Sequence, residues 1–469
     1  MKVAVLKETF PGERRVALVP GSVPQLVKAG LEVVVEQGAG QAAGYPDTAY
    51  VAKGATIVEG REAALGADVL LQVRALGANQ PQTSQEIGRL RPGQIVLAMC
   101  DPLGAAEEVR QAADTGAAVF ALEMIPRITR AQSMDVLSSM ATIAGYRAVL
   151  LAAYELPRML PMITYAAGML RPARVFIVGA GVAGLRAIAT AKALGAAVQA
   201  HDIRPTSREE VQSVGAKFVE LKIEGETQDK GGYAKALTEA DYQRQRELIA
   251  DVAAESDVVI TTAAIPGRQS PLLVTAAAVE RMPQGAVIID LGAERGGNCE
   301  LTQADQRVEA HGVTILGPTN LPAEIPGHAS EMFSSNLTKL LTYIVKDGKI
   351  DLDADDEIIR DTLVAKGGEV TNARLRGILN LPPLEKPAPP ASSEEKSSED
   401  KLTGTASSFS DDTLNVGDLG GGDLGGGDQG EGEDKADNGG SVGDISLSEP
   451  TDDPDDDATD NDAKKEDAS

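Results

Sequence analysis

The run RVFIVGAGVAGLRAIATAKALGAAVQAHD, residues 174–202, carries the clearest chemistry in this chain. An apolar stretch that reads as a buried strand ends in Gly179-Ala180-Gly181-Val182-Ala183-Gly184, and a helical pattern follows at once. Gly179 permits a tight turn, Gly181 lets the backbone approach a pyrophosphate, and Gly184 lets helix and strand pack in contact. The helix N-terminus then offers unpaired N–H groups and the positive end of its dipole to the phosphates. The next apolar run ends in Asp202, a position suited to accepting hydrogen bonds from the hydroxyls of an adenosine ribose. A 2′-phosphate there would meet like charge, so NAD(H) is favoured over NADP(H), with Arg204 as the one opposing feature. A GxGxxG alone often only joins a strand to a helix; here strand, glycines, helix, second strand and acid all fall in order. His201, beside the acid, reads as a surface or strand-end residue rather than a catalytic one.

The elements that must position this turn follow a repeating pattern. From residue 2 to about 125, apolar runs (VAVL, LEVVV, DVLLQV, QIVLAM, AVFAL) alternate with helical stretches such as AAEEVRQAADTG. A second series runs from about Arg174 to Pro318 (RVFIVG, AAVQAHD, SDVVITTAA, GAVIIDLG, GVTILG). Alternation of this kind predicts an α/β chain with two doubly wound, Rossmann-like domains. Two long helices, about Val136 to Leu156 and about Ser330 to Val345, are expected to join them. The expected division is an N-terminal domain over 1–137 completed by 326–384, and a dinucleotide domain over 138–325. Residues 385–469 carry 25 acidic and 6 basic residues with runs such as GGGDLGGGDQGEGED and one aromatic, Phe409. Such a tail cannot bury enough apolar surface to offset its ordering entropy and reads as disordered.

Composition narrows the function classes. Of the formal net charge of −26, the tail holds −19, which leaves −7 for residues 1–384. A chain of this sign has no electrostatic reason to bind nucleic acid or an anionic membrane surface. Cys100 and Cys299 have neither a disulfide pattern nor metal-ligand spacing, so a reducing, cytoplasmic setting without a metal is expected. The N-terminus shows no apolar signal core, and no unbroken apolar run reaches the length of a membrane span. Work at a membrane would need another chain as anchor.

Further stretches carry a family resemblance. KETFPGERRVALVP (7–20) resembles the N-terminal signature shared by alanine dehydrogenases and the NAD-binding part of proton-translocating nicotinamide nucleotide transhydrogenases. PRITRAQSMDVLSSMATIAGYRAV (126–149) and GGYAK (231–235) resemble the transhydrogenase's characteristic loop-helix and mobile loop, and ITTAAIPG (260–267) and IDLGAERGGNCE (289–300) fit as well. The resemblance runs from Met1 to about Pro383. It implies the soluble NAD(H)-binding alpha subunit, a homodimer on the cytoplasmic side of the inner membrane. Its partners would be membrane subunits that conduct protons and hold NADP(H). Arg127, Gln132, Asp135, Ser138, Ser139 and Tyr233 would then order or cover the nicotinamide. Gly179, Ala180, Gly181, Val182, Gly184, Asp202, Ile203, Arg204, Ala264 and Gly267 would bind the rest of the cofactor. Asp135 equally reads as the N-cap of the helix that follows, and Tyr233 as part of an ordinary surface loop. Met140 and Arg295 depart from the pattern, where Gln and a smaller or uncharged residue are expected. The acidic tail lies outside it.

Two other readings remain. An alanine dehydrogenase of the same fold needs an acid/base group near neutral pKa, and that family uses a His and a Lys in its first domain. Here no histidine precedes His201, and Arg74 stands near the expected Lys; Arg15 could still bind a carboxylate. Arg is a poor proton shuttle because it stays charged. A non-catalytic NAD-sensing module is the third reading. Hydride transfer between two nicotinamides needs no side-chain proton, only rings held together away from water.

Overall fold

A computed structural model describes residues 1–80, 82–220, 238–265, 267–346, 348–352 and 355–384 of the chain. The apolar runs form strands whose successive side chains enter opposite, fully covered cores. Val3 and Val5 of the first strand lie in one core, and Ala4 with the adjoining Leu6 in the other. This two-sided burial is why these strands read as continuous Val/Ile/Leu runs rather than alternating ones.

In chain order the first series is β1 (Lys2–Val5), β2 (Glu32–Glu36), β3 (Thr56–Val58), β4 (Val69–Arg74), β5 (Ile95–Met99) and β6 (Ala118–Ala121). An exposed hairpin of β7 (Ile163–Tyr165) and β8 (Gly168–Leu170) comes next. The second series is β9 (Arg174–Val178), β10 (Ala197–His201), β11 (Lys217–Phe218), β12 (Val258–Thr261), β13 (Val287–Asp290), β14 (Arg307–Ala310) and β15 (Val313–Leu316). After a small hairpin of β16 (Val345–Lys346) and β17 (Lys349–Ile350), the chain forms β18 (Leu363–Lys366) and β19 (Glu369–Val370).

Among the described residues the first sheet has the order β19-β18-β6-β5-β4-β1-β2-β3, so residues 363–370 extend the sheet that begins at Lys2. The second has the order β11-β10-β9-β12-β13-β15-β14. Both are doubly wound parallel sheets, with antiparallel edges at β18, β19 and β14. The strand order reverses between β1 and β4 in one sheet and between β9 and β12 in the other. Crevices beyond the C-terminal ends of strands at such switch points are where doubly wound folds take ligands.

Helix Val136–Glu155 connects the two halves. The Asp135 side chain caps its first turn by accepting from Ser138 N, and the helix stops just before Pro157. Its Val136, Met140 and Ile143 belong to a core of the first sheet, while Ala148, Val149 and Ala152 belong to a core of the second. It is long and apolar enough by composition to cross a membrane, with mean hydropathy 1.5, and part of it is buried inside the fold. Helix Pro326–Ile344 returns to the first sheet through Phe333, Leu337, Leu340 and Leu341. It begins at Pro326, ahead of the expected Ser330, because proline supplies a ready first turn that the apolar pattern of GHAS does not reveal. Ser330 and Ser334 on this helix accept from the backbone N–H groups of Val16 and Val19.

Candidate functional site

A cleft of about 2100 Å³ opens where the C-terminal ends of the two sets of strands face each other. Its second-domain wall is the glycine turn. Gly179 has φ +98°, a conformation that L side chains rarely adopt, and a Cβ there would lie 2.5 Å from Thr262 Oγ1. A Cβ at Gly184 would lie 1.9 Å from the Gly179 carbonyl oxygen, so strand turn and helix are in backbone contact. At Gly181, the N-cap of helix Val182–Ala193, nothing would meet a Cβ within 4 Å. The open space therefore lies directly over the helix N-terminus, the place where the sequence pattern leads one to expect a pyrophosphate.

Asp202 follows the end of β10 with both oxygens engaged. Oδ2 accepts from Ala180 N at 2.7 Å and Arg204 Nη2 at 2.9 Å, while Oδ1 accepts from Arg204 N and Nε at 2.8 and 2.9 Å. Burial pushes this carboxyl up, but the bonds from Arg204 and Ala180 outweigh it and hold the group below its usual range. The acid is thus an ionised acceptor at the cleft wall. His201 is at the strand end, as expected, but is fully buried rather than on the surface. Its Nδ1 pairs with Val219 O and its Nε2 with Gln245, and burial lowers its pKa.

Gly179, Gly181, Val182, Asp202, Ile203, Arg204, Ala264 and Gly267 all line the cleft. Ala180 and Gly184 are buried behind it and act through the backbone. Across the cleft lie Arg127 and Ser138, with Leu137 and Ala141 beside them. Asp135 does not line it, but accepts from Ser138 Oγ at 2.6 Å, so one side chain both caps the helix and aims the serine. Ser139, half-buried on the same helix, and Gln132, exposed on the turn Thr129–Met134, are both outside the lining. Tyr233 falls outside the described residues. Arg15 does bind a carboxylate, but an internal one. It grips Glu13 through Nε and Nη2 at 2.7 and 2.6 Å, and its Nη1 donates to Met140 Sδ. The Met140 departure therefore faces the first-domain core, whereas Arg295 lines the cleft and pairs with Asp101.

Two buried carboxyls at the strand ends of the first sheet, Glu123 and Glu8, were not among the residues expected from the sequence. Glu123 Oε1 accepts from Cys100 N and Asp101 N at 2.7 and 2.5 Å, while its Oε2 is buried without a protein partner. Glu8 accepts from Val73 N and Arg74 N at 2.7 and 3.2 Å. Burial is the main cause that raises Glu123 to about 7 and Glu8 to about 8. An acidic residue just after an apolar run, the pattern that singled out Asp202, was the available signal for Glu123. Carboxyls raised above their unfolded values stabilise the fold at low pH, and that contribution is lost as pH rises through about 7 to 8. For Glu123 it amounts to something on the order of 3 kcal/mol. Melting temperature is therefore expected to fall between about pH 5.5 and pH 8.5, and Glu123→Gln to flatten the slope. A wild-type melting temperature that holds or rises over this range would contradict that assignment.

Two doubly wound sheets facing one cleft, with a glycine turn, a helix N-terminus and an ionised acid on one wall, define a two-domain dinucleotide-binding protein. Comparison with known proteins places it further. Residues 4–144 match the model of the alanine dehydrogenase/PNT N-terminal domain, and residues 148–373 that of the alanine dehydrogenase/PNT C-terminal domain. The chain belongs to the alanine dehydrogenase/PNT family. It is 42% identical over 386 residues to an alpha-subunit chain of the NAD(P) transhydrogenase of Rhodospirillum rubrum, covering 80% of this chain and 99% of that one. The crystal structure of transhydrogenase from Sinorhizobium meliloti matches with a TM-score of 0.69 at 42% identity, over 80% of this chain and 100% of that one. The alanine dehydrogenase of Bacillus subtilis is 29% identical, over 79% of this chain and 93% of that one.

Proposed function

We propose that this chain is the NAD(H)-binding subunit of a proton-translocating transhydrogenase. It would hold NADH in the cleft for direct hydride transfer to NADP+ on a partner subunit, while membrane subunits couple the transfer to proton movement. The observation that carries this reading is the cleft itself. It has a glycine turn and helix N-terminus on one wall and, on the other, Arg127 and the first-turn Ser138 of helix Val136–Glu155, with no His/Lys acid–base pair among the described residues that line it. The greater identity to transhydrogenase relatives than to an alanine dehydrogenase supports the same choice.

In this reading Gly179, Gly181 and the N–H groups opening helix Val182–Ala193 bind the pyrophosphate, and Asp202 takes the adenosine ribose. Ala264 and Gly267 form the wall beside the cofactor. Arg127, Gln132, Asp135, Ser138 and Tyr233 order the nicotinamide end. When bound, the reduced nicotinamide supplies the hydride. The protein's own residues orient it and keep water out, which suffices where no proton is exchanged with a side chain. His201 and Glu123 line the cleft, but both His201 nitrogens are engaged, and Glu123, with Oε1 held by two backbone N–H groups and only Oε2 unpartnered, has no lysine beside it among the described lining residues. A second copy of the chain would cover the apolar hairpin, where Met162, Tyr165, Met169 and Leu170 are exposed.

The test mixes the purified chain with the NADP-binding domain of a recognised transhydrogenase. Reduction of an NADP+ analogue by NADH is followed, with L-alanine plus NAD+ as the parallel reaction. Hydride transfer without alanine oxidation is expected, from a complex whose light-scattering mass contains two copies of this chain. Alanine oxidation would move the protein to the dehydrogenase branch, and NADH binding without either reaction to the sensor reading.

A further inference from the structure

The turn after β13 reaches across the cleft and touches the first domain at two ion pairs. Arg295 Nη2 pairs with Asp101 Oδ1, and Glu294 Oε1 lies 3.6 Å from Arg74 Nη1. Arg74 and Asp101 sit at the C-terminal ends of β4 and β5, so both contacts join the ligand-facing ends of the two sheets. Arg295 is also, with Met140, one of the two positions where the sequence resemblance leads one to expect a different residue.

Each side of these contacts is built on a buried acid. The Glu294–Arg295 turn is fixed by Asp290, which is fully buried and accepts from Gly292 N, Asn298 N, Cys299 N and two threonine hydroxyls. Gly296 and Gly297, both at positive φ, let the chain fold back tightly there. On the opposite side Glu123 holds the backbone of Cys100 and Asp101, and Glu8 that of Val73 and Arg74. Arg74 is steadied further by the Phe10 ring, 4.4 Å below its guanidinium. Ordinary surface pairs join two flexible side chains, and the entropy of ordering them cancels most of the attraction. Here the backbone at each end is fixed beforehand, and the Asp101 and Arg295 side chains are only about one-third exposed, at 31% and 34%. Glu294 is 56% exposed and Arg74 also pairs with Glu13, so Arg74–Glu294 is the weaker of the two contacts. The fit is close, since a Cβ at Gly104 would lie 2.4 Å from Arg295 Nη1.

We propose that Asp101–Arg295 and Arg74–Glu294 form an inter-domain clasp that holds the cleft shut at this edge and limits the rate at which the dinucleotide leaves. The proposal rests on the reading that NAD(H) occupies the cleft. Its members are positioning residues: they act on the separation of the two walls, and through it on how long the cofactor stays.

The test measures NADH release from the full chain by stopped-flow fluorescence with an NAD+ chase, for wild type, Arg295→Ala, Asp101→Asn and the double variant. Asn is chosen because Asp101 has φ +50°, which Asn tolerates. Each single variant is expected to release NADH roughly two- to five-fold faster, and the double variant no faster than the singles. High salt should bring wild type up to the variant rate. Unchanged release, or single effects that multiply in the double variant, would overturn the clasp. Hydrogen exchange in the ligand-free protein gives a readout independent of the cofactor. Both singles should raise exchange at residues 101–105 of one domain and 267–270 of the other. If wild type binds no NADH, the cofactor reading fails, and unchanged exchange at those two segments then refutes the clasp separately.

Discussion

Replacing Asp202 with Ala is expected to weaken NADH binding about 10- to 100-fold, and to weaken NADPH binding far less, so that the preference between them collapses. A fold-change of this size corresponds to roughly 1.4–2.8 kcal/mol, the ordinary worth of hydrogen bonds to a charged acceptor. The carboxylate is held ionised by Arg204 and Ala180 N–H against the burial that opposes it. It therefore greets ribose hydroxyls as a strong acceptor and a 2′-phosphate as a like charge. The variant removes that repulsion and releases the Arg204 guanidinium from its bidentate partner, leaving a cation where the phosphate would sit. It also leaves Ala180 N–H without its acceptor, which costs about 1–3 kcal/mol of stability. The readout is therefore the ratio of NADH to NADPH affinities by fluorescence titration, which a uniform loss of folded protein does not move. NADH affinity within twofold of wild type would remove Asp202 from the site.

The place of Asp202, at a strand end on the cleft wall, was legible because it follows from short-range order: strand, glycines, helix, strand and acid within one stretch of chain. The two sheets were legible for a related reason. Strands buried on both faces, such as β4 and β13, leave unbroken apolar runs that periodicity alone can count. The extra reach of helix Pro326–Ile344 was not, because a proline start and small residues leave no amphipathic mark. His201 was placed at its strand end, but its burial depends on Val219 and Gln245, 18 and 44 residues away along the chain.

The other wall of the cleft was harder to read for the same reason. Arg15 could have faced a ligand on sequence grounds; only the fold shows Glu13 turned back onto it and Met140 and Asn320 closing around it. Arg295 looked like a local departure from a pattern. Its contact across the cleft is with Asp101, 194 residues away, whose backbone is held in turn by Glu123. Polar groups that act through such long-range pairings leave no spacing signal. The place of Glu123 after an apolar run was marked in the sequence, but its raised pKa was not, since burial rather than residue type raises it.

Gly145→Ala is expected to destabilise the chain by about 2 kcal/mol and to weaken NADH binding as well, against what helix propensity predicts. Gly145 lies inside helix Val136–Glu155, where Ala for Gly should gain about 1 kcal/mol in an isolated helix. The fold reverses the sign. A Cβ at Gly145 would lie 2.1 Å from the Ala183 carbonyl oxygen and 2.9 Å from its carbonyl carbon, both backbone atoms that cannot rotate away. Overpacking costs about 1–3 kcal/mol; two rigid backbone contacts under 3 Å put this site at the upper end, so the clash wins by roughly 2 kcal/mol. Relief requires helix Val182–Ala193 to move, and that helix carries the Gly181 cap and the N–H groups assigned to the pyrophosphate. Stability and cofactor affinity should therefore fall together, although residue 145 is not among those lining the cleft. Urea unfolding and NADH titration on the same preparation check both. An unfolding midpoint at or above wild type would show that the two helices separate at little cost, and that their crossing does not fix the cradle. A lowered midpoint with unchanged NADH affinity would confine Gly145 to packing and leave the turn from Gly179 to Gly184 to hold its shape without it.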